Sequence, residues 1–330
     1  MILKVFDHGW GNDVPLKQFE KSLTDQYLAP LVTDDKNHVI INSVWYTDNA
    51  HKQVMAYLRT HKVDSIVLIA MLDAAIPYAP RYQELAHLVN EVGYYRGKNF
   101  IDFWALMVDR YFDQPGPEAL LPTQQMTLPF MCLNRKPHWH RKKLYVELES
   151  RGLLDHGLVS FGGDNNNPVR VLATDQGQSL LAPNPGADQH GICNDIASLG
   201  HPDNWQRCFL NVVTETVFDI NINYFVSEKI YKPIIGQRPF LVYDTDGATQ
   251  WLTDRGFQSY VNDFTDISDL DLTNPDNIAP FLLVLSQQNT SYYYQKYLAL
   301  SEKIMYNKQH FDTYVQRQYQ KIQQGIQCQI

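Results

Sequence analysis

The sequence predicts an α/β protein of two domains built on parallel sheets, and three observations carry that prediction. Short β-type runs alternate with segments of helical apolar spacing in the first third of the chain. Such alternation belongs to parallel sheets covered by helices on both faces. The same rhythm resumes after a proline-rich connector at 113–129, which holds four prolines and a glycine. The length of 330 residues suffices for about two domains at roughly 150 residues each.

In order, residues 3–6 form a short strand that runs into Asp7-His8-Gly9-Trp10-Gly11. Residues 38–44 and 65–72 are two further strands. Between them, 49–61 has apolar residues at helical spacing, including Val54, Tyr57 and Leu58. Ligands of parallel sheets collect at the carboxyl ends of strands, which singles out Asp7, His8, Trp45, Tyr46 and Asp73.

Beyond the connector, 130–133 is a buried strand, 134–141 a polar segment, and 142–151 a helix stopped by Gly152. A strand at 159–161 leads into a polar Gly/Asn-rich stretch from 162 to about 200, without periodicity. A β-branched strand spans 209–217. Residues 227–236 form a short helix with Ser227 as N-cap and Gly236 as its stop, and with Pro233 inside. A strand at 238–244, a helix at 248–255 capped by Gly256, and a largely helical tail at 281–324 complete the chain. The connector divides it into domains at 1–120 and 121–310, with 311–330 as a terminal helix returning toward the first. No internal repeat is visible.

Composition narrows the function. Charged residues at 19% and hydrophobic residues at 44% exclude a disordered, collagenous or coiled-coil protein. Twenty Tyr, 15 Phe and 6 Trp supply a large core and stacking surfaces for flat or sugar-like ligands. The net charge of −8 disfavours a broad nucleic-acid surface. Four cysteines without CxxC spacing read as buried thiols in a reducing compartment. The start of the chain has no signal-peptide pattern, and the longest apolar run is interrupted by Asp73, so a cytoplasmic protein without a membrane span is expected.

The strongest chemical signal lies between Asn211 and Asp244, where strand, loop, helix and strand follow one another. A helix N-terminus presents unpaired N–H groups and a partial positive charge, suited to phosphate. Lys229 in the first turn adds a full charge against the helix dipole, which suggests an anion between them. Glu228 can accept two hydroxyls of a ribose. The plain alternative is a surface i,i+4 pair of Glu228 with Lys232.

Val226-Ser227-Glu228-Lys229 followed by Gly236-Gln237-Arg238-Pro239-Phe240 resembles the donor site of α-1,3-fucosyltransferases. It is similar also to exostosin-type transferases and to phage and large-virus transferases related to them. The resemblance covers mainly residues 130–260. It implies the GT-B fold: two Rossmann-like domains facing across a cleft, the C-terminal one holding the nucleotide-sugar. It further implies that Glu228 meets the donor ribose and Lys229 the diphosphate, with Thr214, Glu215, Ser227 and Lys232 lining the same site. Those fucosyltransferases carry Tyr-Val-Thr where this chain has Phe225-Val226-Ser227, so the sugar is left open.

Residues 134–143 add five cations after the first strand of the second domain. Asn134, Arg135 and Arg141 match an Asn-Arg…Arg pattern of the phage and viral transferases, and arginine can grip phosphate bidentately. Alternatives here are a solvated basic face or a nucleic-acid patch around Trp139. His138 and His140 form a His-x-His pair with no third metal ligand nearby in sequence. Asp244-Thr245-Asp246 is the contrary signal, since in GT-A transferases an Asp-x-Asp holds a hard divalent cation.

The reaction expected is transfer of a sugar from a nucleotide-diphosphate-sugar to a hydroxyl acceptor, metal-independent and inverting, with a retaining outcome left open. The nucleotide-sugar is then a co-substrate, and no cofactor is required. A general base is needed on the acceptor side. Asp7, His8 and Asp13 are the preferred candidates, with Asp73 and Glu91 behind them. Rival readings are a DNA-base glycosyltransferase, a GT-A-like enzyme using Asp244 and Asp246, and a non-catalytic sugar-binding protein. A dehydrogenase lacks support, because no GxGxxG follows the first strand.

Overall fold

The computed structural model describes residues 2–8, 37–43, 48–70, 91–94, 105, 108–109, 121–122, 126–134, 137–162, 170, 199, 202–216, 218, 226–243 and 247–327. The chain separates into two compact units, Met1–Met107 with Tyr314–Ile330, and Val108–Thr313. Each is of mixed α/β type around a four-stranded parallel sheet.

The first unit's sheet has the order β1 (Ile2–His8), β2 (His38–Ser43), β3 (Ser65–Ala70), β4 (Glu91–Tyr94), all pairs parallel. Helix α1 (Asp48–Thr60) crosses between β2 and β3, burying Val54 and Leu58. Asp7 and His8 close β1 in register with Asn42 and Ser43, at the carboxyl edge of the sheet. Glu91 is different. It opens β4 opposite Ser65, so it lies at the amino edge, away from where parallel sheets bind ligands. The short strand β4 escaped the sequence pattern. Asp13, Trp45, Tyr46 and Asp73 lie outside the described residues.

The second sheet contains β5 (Leu128–Asn134), β6 (Leu158–Phe161), β7 (Cys208–Thr214) and β8 (Phe240–Tyr243), ordered β6-β5-β7-β8 and parallel throughout. Nearly every residue of β5, β7 and β8 is buried, as in a sheet covered on both faces. Leu133, expected in a buried strand, is the departure: it is 42% exposed.

Helices α2 (Trp139–Ser150), α3 (Pro202–Arg207), α4 (Glu228–Ile235) and α5 (Ala248–Asp254) follow in the same unit. A 3-10 turn (Pro275–Asn277) then leads to α6 (Ile278–Ser286), α7 (Thr290–Ala299) and α8 (Ser301–Gln327), the last contributing to both units. A ring cluster of Phe209, Phe264, Phe281 and Tyr293, with centroids 5.1–6.2 Å apart, joins β7 to α6 and α7. Most of 162–200, and all of Asp244–Asp246, fall outside the described residues. Among the described residues, no helix is long and apolar enough to cross a membrane.

Two sequence-derived boundaries shift where the site forms. Helix α2 begins at Trp139 rather than at 142, so His140 and Arg141 are helical and buried. Strand β7 ends at Thr214, which leaves Glu215 and Thr216 in the loop beyond it.

Candidate functional site at the carboxyl edge of the second sheet

In the order β6-β5-β7-β8 the chain leaves β5 toward one side and returns to the other, so β5 and β7 flank the switch point of the sheet. Crossovers diverge there and open a crevice beyond the strand ends. Carrying the register of Met131 with Asn211 three residues forward sets Asn134 opposite Thr214. Their side chains are bonded, Thr214 Oγ1 donating to Asn134 Oδ1. Asn134 is held from its other flanks too. Its N–H donates to Ser160 Oγ at 3.3 Å, and its Nδ2 reaches Cys132 Sγ at 3.2 Å.

Helix α2 starts just beyond Asn134 and turns its first residues inward. His140 Nε2 lies 2.9 Å from the carbonyl of Glu215, and Arg141 Nη2 donates to the carbonyls of Thr214 and Glu215 at 3.0 Å each. A carbonyl can only accept, so His140 is the Nε2–H tautomer. Burial, the neighbouring Arg141 and His138 lower its pKa to about 4 against the Glu215 carbonyl, and it is neutral at pH 7. Arg141, expected to grip phosphate bidentately, thus points a nitrogen at the main chain. It fixes the loop after β7 and keeps a buried positive charge there, with burial lowering its pKa and Glu215 and Glu228 opposing that.

Glu215 itself is buried, and its carboxylate receives Ser227: the N–H to Oε1 at 3.1 Å and the hydroxyl to Oε2 at 2.5 Å. Burial raises its pKa, while Lys229 and the Ser227 bonds pull it down. Ser227 is the N-cap of α4, its Oγ accepting from the Lys229 N–H at 3.4 Å. The cap is the one its sequence position predicts.

Glu228 and Lys229 form the first turn of α4. Glu228 is only 3% exposed, which removes the surface i,i+4 reading. Its Oε1 pairs with Lys229 Nζ at 2.7 Å, and the ammonium also donates to Ser227 Oγ and Thr216 Oγ1, both at 3.2 Å. Lys229 is thus partly covered and occupied. Lys232 stands one turn on, where its carbonyl accepts the N–H of Gly236. Arg135 lies outside the described residues.

The second half of the motif has a different job. Arg238 is 1% exposed and donates to the carbonyls of Trp205, Cys208, Gly236 and Gln237. These bonds gather at the amino ends of β7 and β8, the opposite edge from Glu228. A Cβ on Gly236 would come within 2.3 Å of the Trp205 ring, which is why glycine sits there. Sequence reasoning missed this corner, and it missed the role of His140 as well, because Trp205, Cys208 and Glu215 stand far away in sequence.

Cys132 and Cys208 are free, buried thiols, each pushed up to about 12 by burial. They are therefore unreactive at neutral pH. Among the described residues, no group of three or more His, Cys, Asp or Glu is placed to hold a metal ion. Compared with protein-family models, curated proteins and solved structures, the chain matches none.

Proposed function

We propose that the chain is a glycosyltransferase of the GT-B kind that binds a nucleotide-diphosphate-sugar at the carboxyl edge of the second sheet. One observation carries the reading: the Glu228–Lys229 turn is bonded through Ser227 and Glu215 to Arg141 at the switch point of a parallel sheet. Two cations and a helix N-terminus thereby converge where such sheets bind ligands. The resemblance of 226–229 to fucosyltransferases supports the same assignment, with Glu228 facing the donor ribose.

In this reading a diphosphate competes with the single carboxylate of Glu228 for Lys229. Arg141 contributes by its charge and by holding the loop. The acceptor oxygen bonds to the anomeric carbon as the bond to the diphosphate breaks. The electron pair leaves with the diphosphate, whose charge the fixed cations stabilise. The acceptor proton passes to a general base, the role for which the sequence puts forward Asp7, His8 and Asp13.

A thermal-shift screen against UDP-, GDP-, CMP- and dTDP-sugars, followed by nucleotide-release assays on any stabilising donor, tests this. The expected result is stabilisation by one nucleotide class and turnover with a hydroxyl acceptor. No stabilisation and no release with any donor would sink it.

A further inference from the structure

Trp139 is the most exposed large apolar side chain among the described residues, at 63%. It is not loose. Its ring meets Phe218 edge-on at 5.2 Å and His140 at 5.7 Å, with interplanar angles of 89° and 83°. Those two rings belong to a stack that runs from buried Tyr243 to Phe218 (5.4 Å), His140 (5.0 Å) and His138 (5.8 Å). The indole is therefore positioned before any ligand arrives, which lowers the entropy lost on binding. The next two residues in the chain, His140 and Arg141, bond the Glu215 carbonyl, so the indole is tied by the first turn of α2 to the candidate site.

The geometry points to Trp139 as the stacking platform for the nucleobase of the nucleoside diphosphate, an inference that rests on the donor-site reading above. The loop after β7 links the two: Thr216 bonds Lys229 and Phe218 packs on Trp139, so a base joined through ribose to a diphosphate at Lys229 is a flat ring to be met on this side of the site. Base stacking on an aromatic side chain accepts every base because each has a π-face. The platform therefore provides affinity for nucleotides as a class and leaves base identity to other contacts. A strand of nucleic acid would stack as well, but the net charge of −8 opposes it.

The test is calorimetric titration of wild type, Trp139→Ala and Trp139→Phe with UDP, GDP, CDP, dTDP and ADP, with inorganic pyrophosphate, and with a single-stranded oligonucleotide. The substitutions fall on an exposed side chain, and melting curves check the fold. Wild type should bind at least one nucleoside diphosphate. Trp139→Ala should weaken it about tenfold or more, and Trp139→Phe should restore most of that, as expected for lost and regained stacking. Pyrophosphate affinity should be equal in all three. Unchanged nucleotide affinity in Trp139→Ala overturns the platform and leaves the transferase reading standing. An equal loss for pyrophosphate also overturns it, because Trp139 then acts by holding Arg141. Wild type that binds no nucleoside diphosphate overturns both readings, and Trp139-dependent binding of the oligonucleotide in preference to nucleotides reassigns the surface to nucleic acid.

Discussion

Ser227 gives both its backbone N–H and its hydroxyl to the carboxylate of Glu215, and the same hydroxyl oxygen caps the helix that carries Glu228 and Lys229. One buried acid thus sets the position of the turn proposed to hold the donor. Burial raises the pKa of that acid in the folded protein, so the folded state holds its proton more tightly than the unfolded chain. The resulting stability is present below the ordinary carboxylate range and is lost as pH rises through the folded value. Glu215→Gln mimics the protonated acid. Its melting temperature should fall least behind wild type, or exceed it, at neutral pH, and the advantage should pass to wild type in acid. Glu215→Ala strands the Ser227 donors and should cost roughly 1–3 kcal/mol in denaturant titrations.

His140 titrates in the opposite sense. Its folded pKa of about 4 lies below the ordinary imidazole value, so its contribution is present above that value and lost as pH falls toward 4. Replacing His140 with Gln should flatten the loss of stability between neutral and mildly acidic pH, read from melting curves across that range. An unchanged slope would mean that the imidazole is not held neutral.

Lys229→Ala should lower kcat/KM with the cognate donor by roughly 2–4 kcal/mol, the effect of losing one fixed donor to developing charge. Because Glu228 would lose its partner, the melting temperature is measured beside it. Lys229→Arg, which keeps the charge, should recover part of the rate. A folded Lys229→Ala enzyme with wild-type turnover would place the diphosphate elsewhere.

Gly236 and Arg238 should behave as structural residues. Gly236→Ala forces a methyl into the Trp205 ring and should cost roughly 1–3 kcal/mol. Arg238→Met leaves four carbonyls without their donor and should cost about 3 kcal/mol or more. Turnover per folded molecule should stay at the wild-type level in both. A selective loss of kcat in a stable variant would tie this corner to chemistry instead.

Transfer should survive EDTA, since Arg141 and Lys229 already place two cations at the candidate site. Asp246→Asn should change turnover by less than about tenfold, or roughly 1.4 kcal/mol. Loss of all activity with chelator and recovery with Mn²⁺ would favour the metal-dependent reading of Asp244 and Asp246.

Local pattern alone determined the parallel α/β character, most strand and helix positions among the described residues, the Ser227 cap and the buried thiols of Cys132 and Cys208, while Cys193 and Cys328 lie outside the described residues. Period and capping chemistry are properties of neighbouring residues, so they are legible without a fold. The extra strand β4 and the inward turn of His140 and Arg141 were not. A run of polar residues at 134–143 reads as a phosphate grip or a solvated face unless the carbonyls of Thr214 and Glu215 stand ready to accept from it, some 73 to 75 residues away. Likewise nothing beside Arg238 in sequence announces the carbonyls of Trp205 and Cys208 to which it donates in the fold. Only the strand order, with β7 laid beside β5, decided that Asn134 meets Thr214, and only the folded connection from β7 to α4 that Glu215 reaches Ser227. Burying a polar group requires a partner, and for Asn134, His140 and Arg141 the partner comes from the end of another strand or the loop beyond it, which no local sequence pattern encodes.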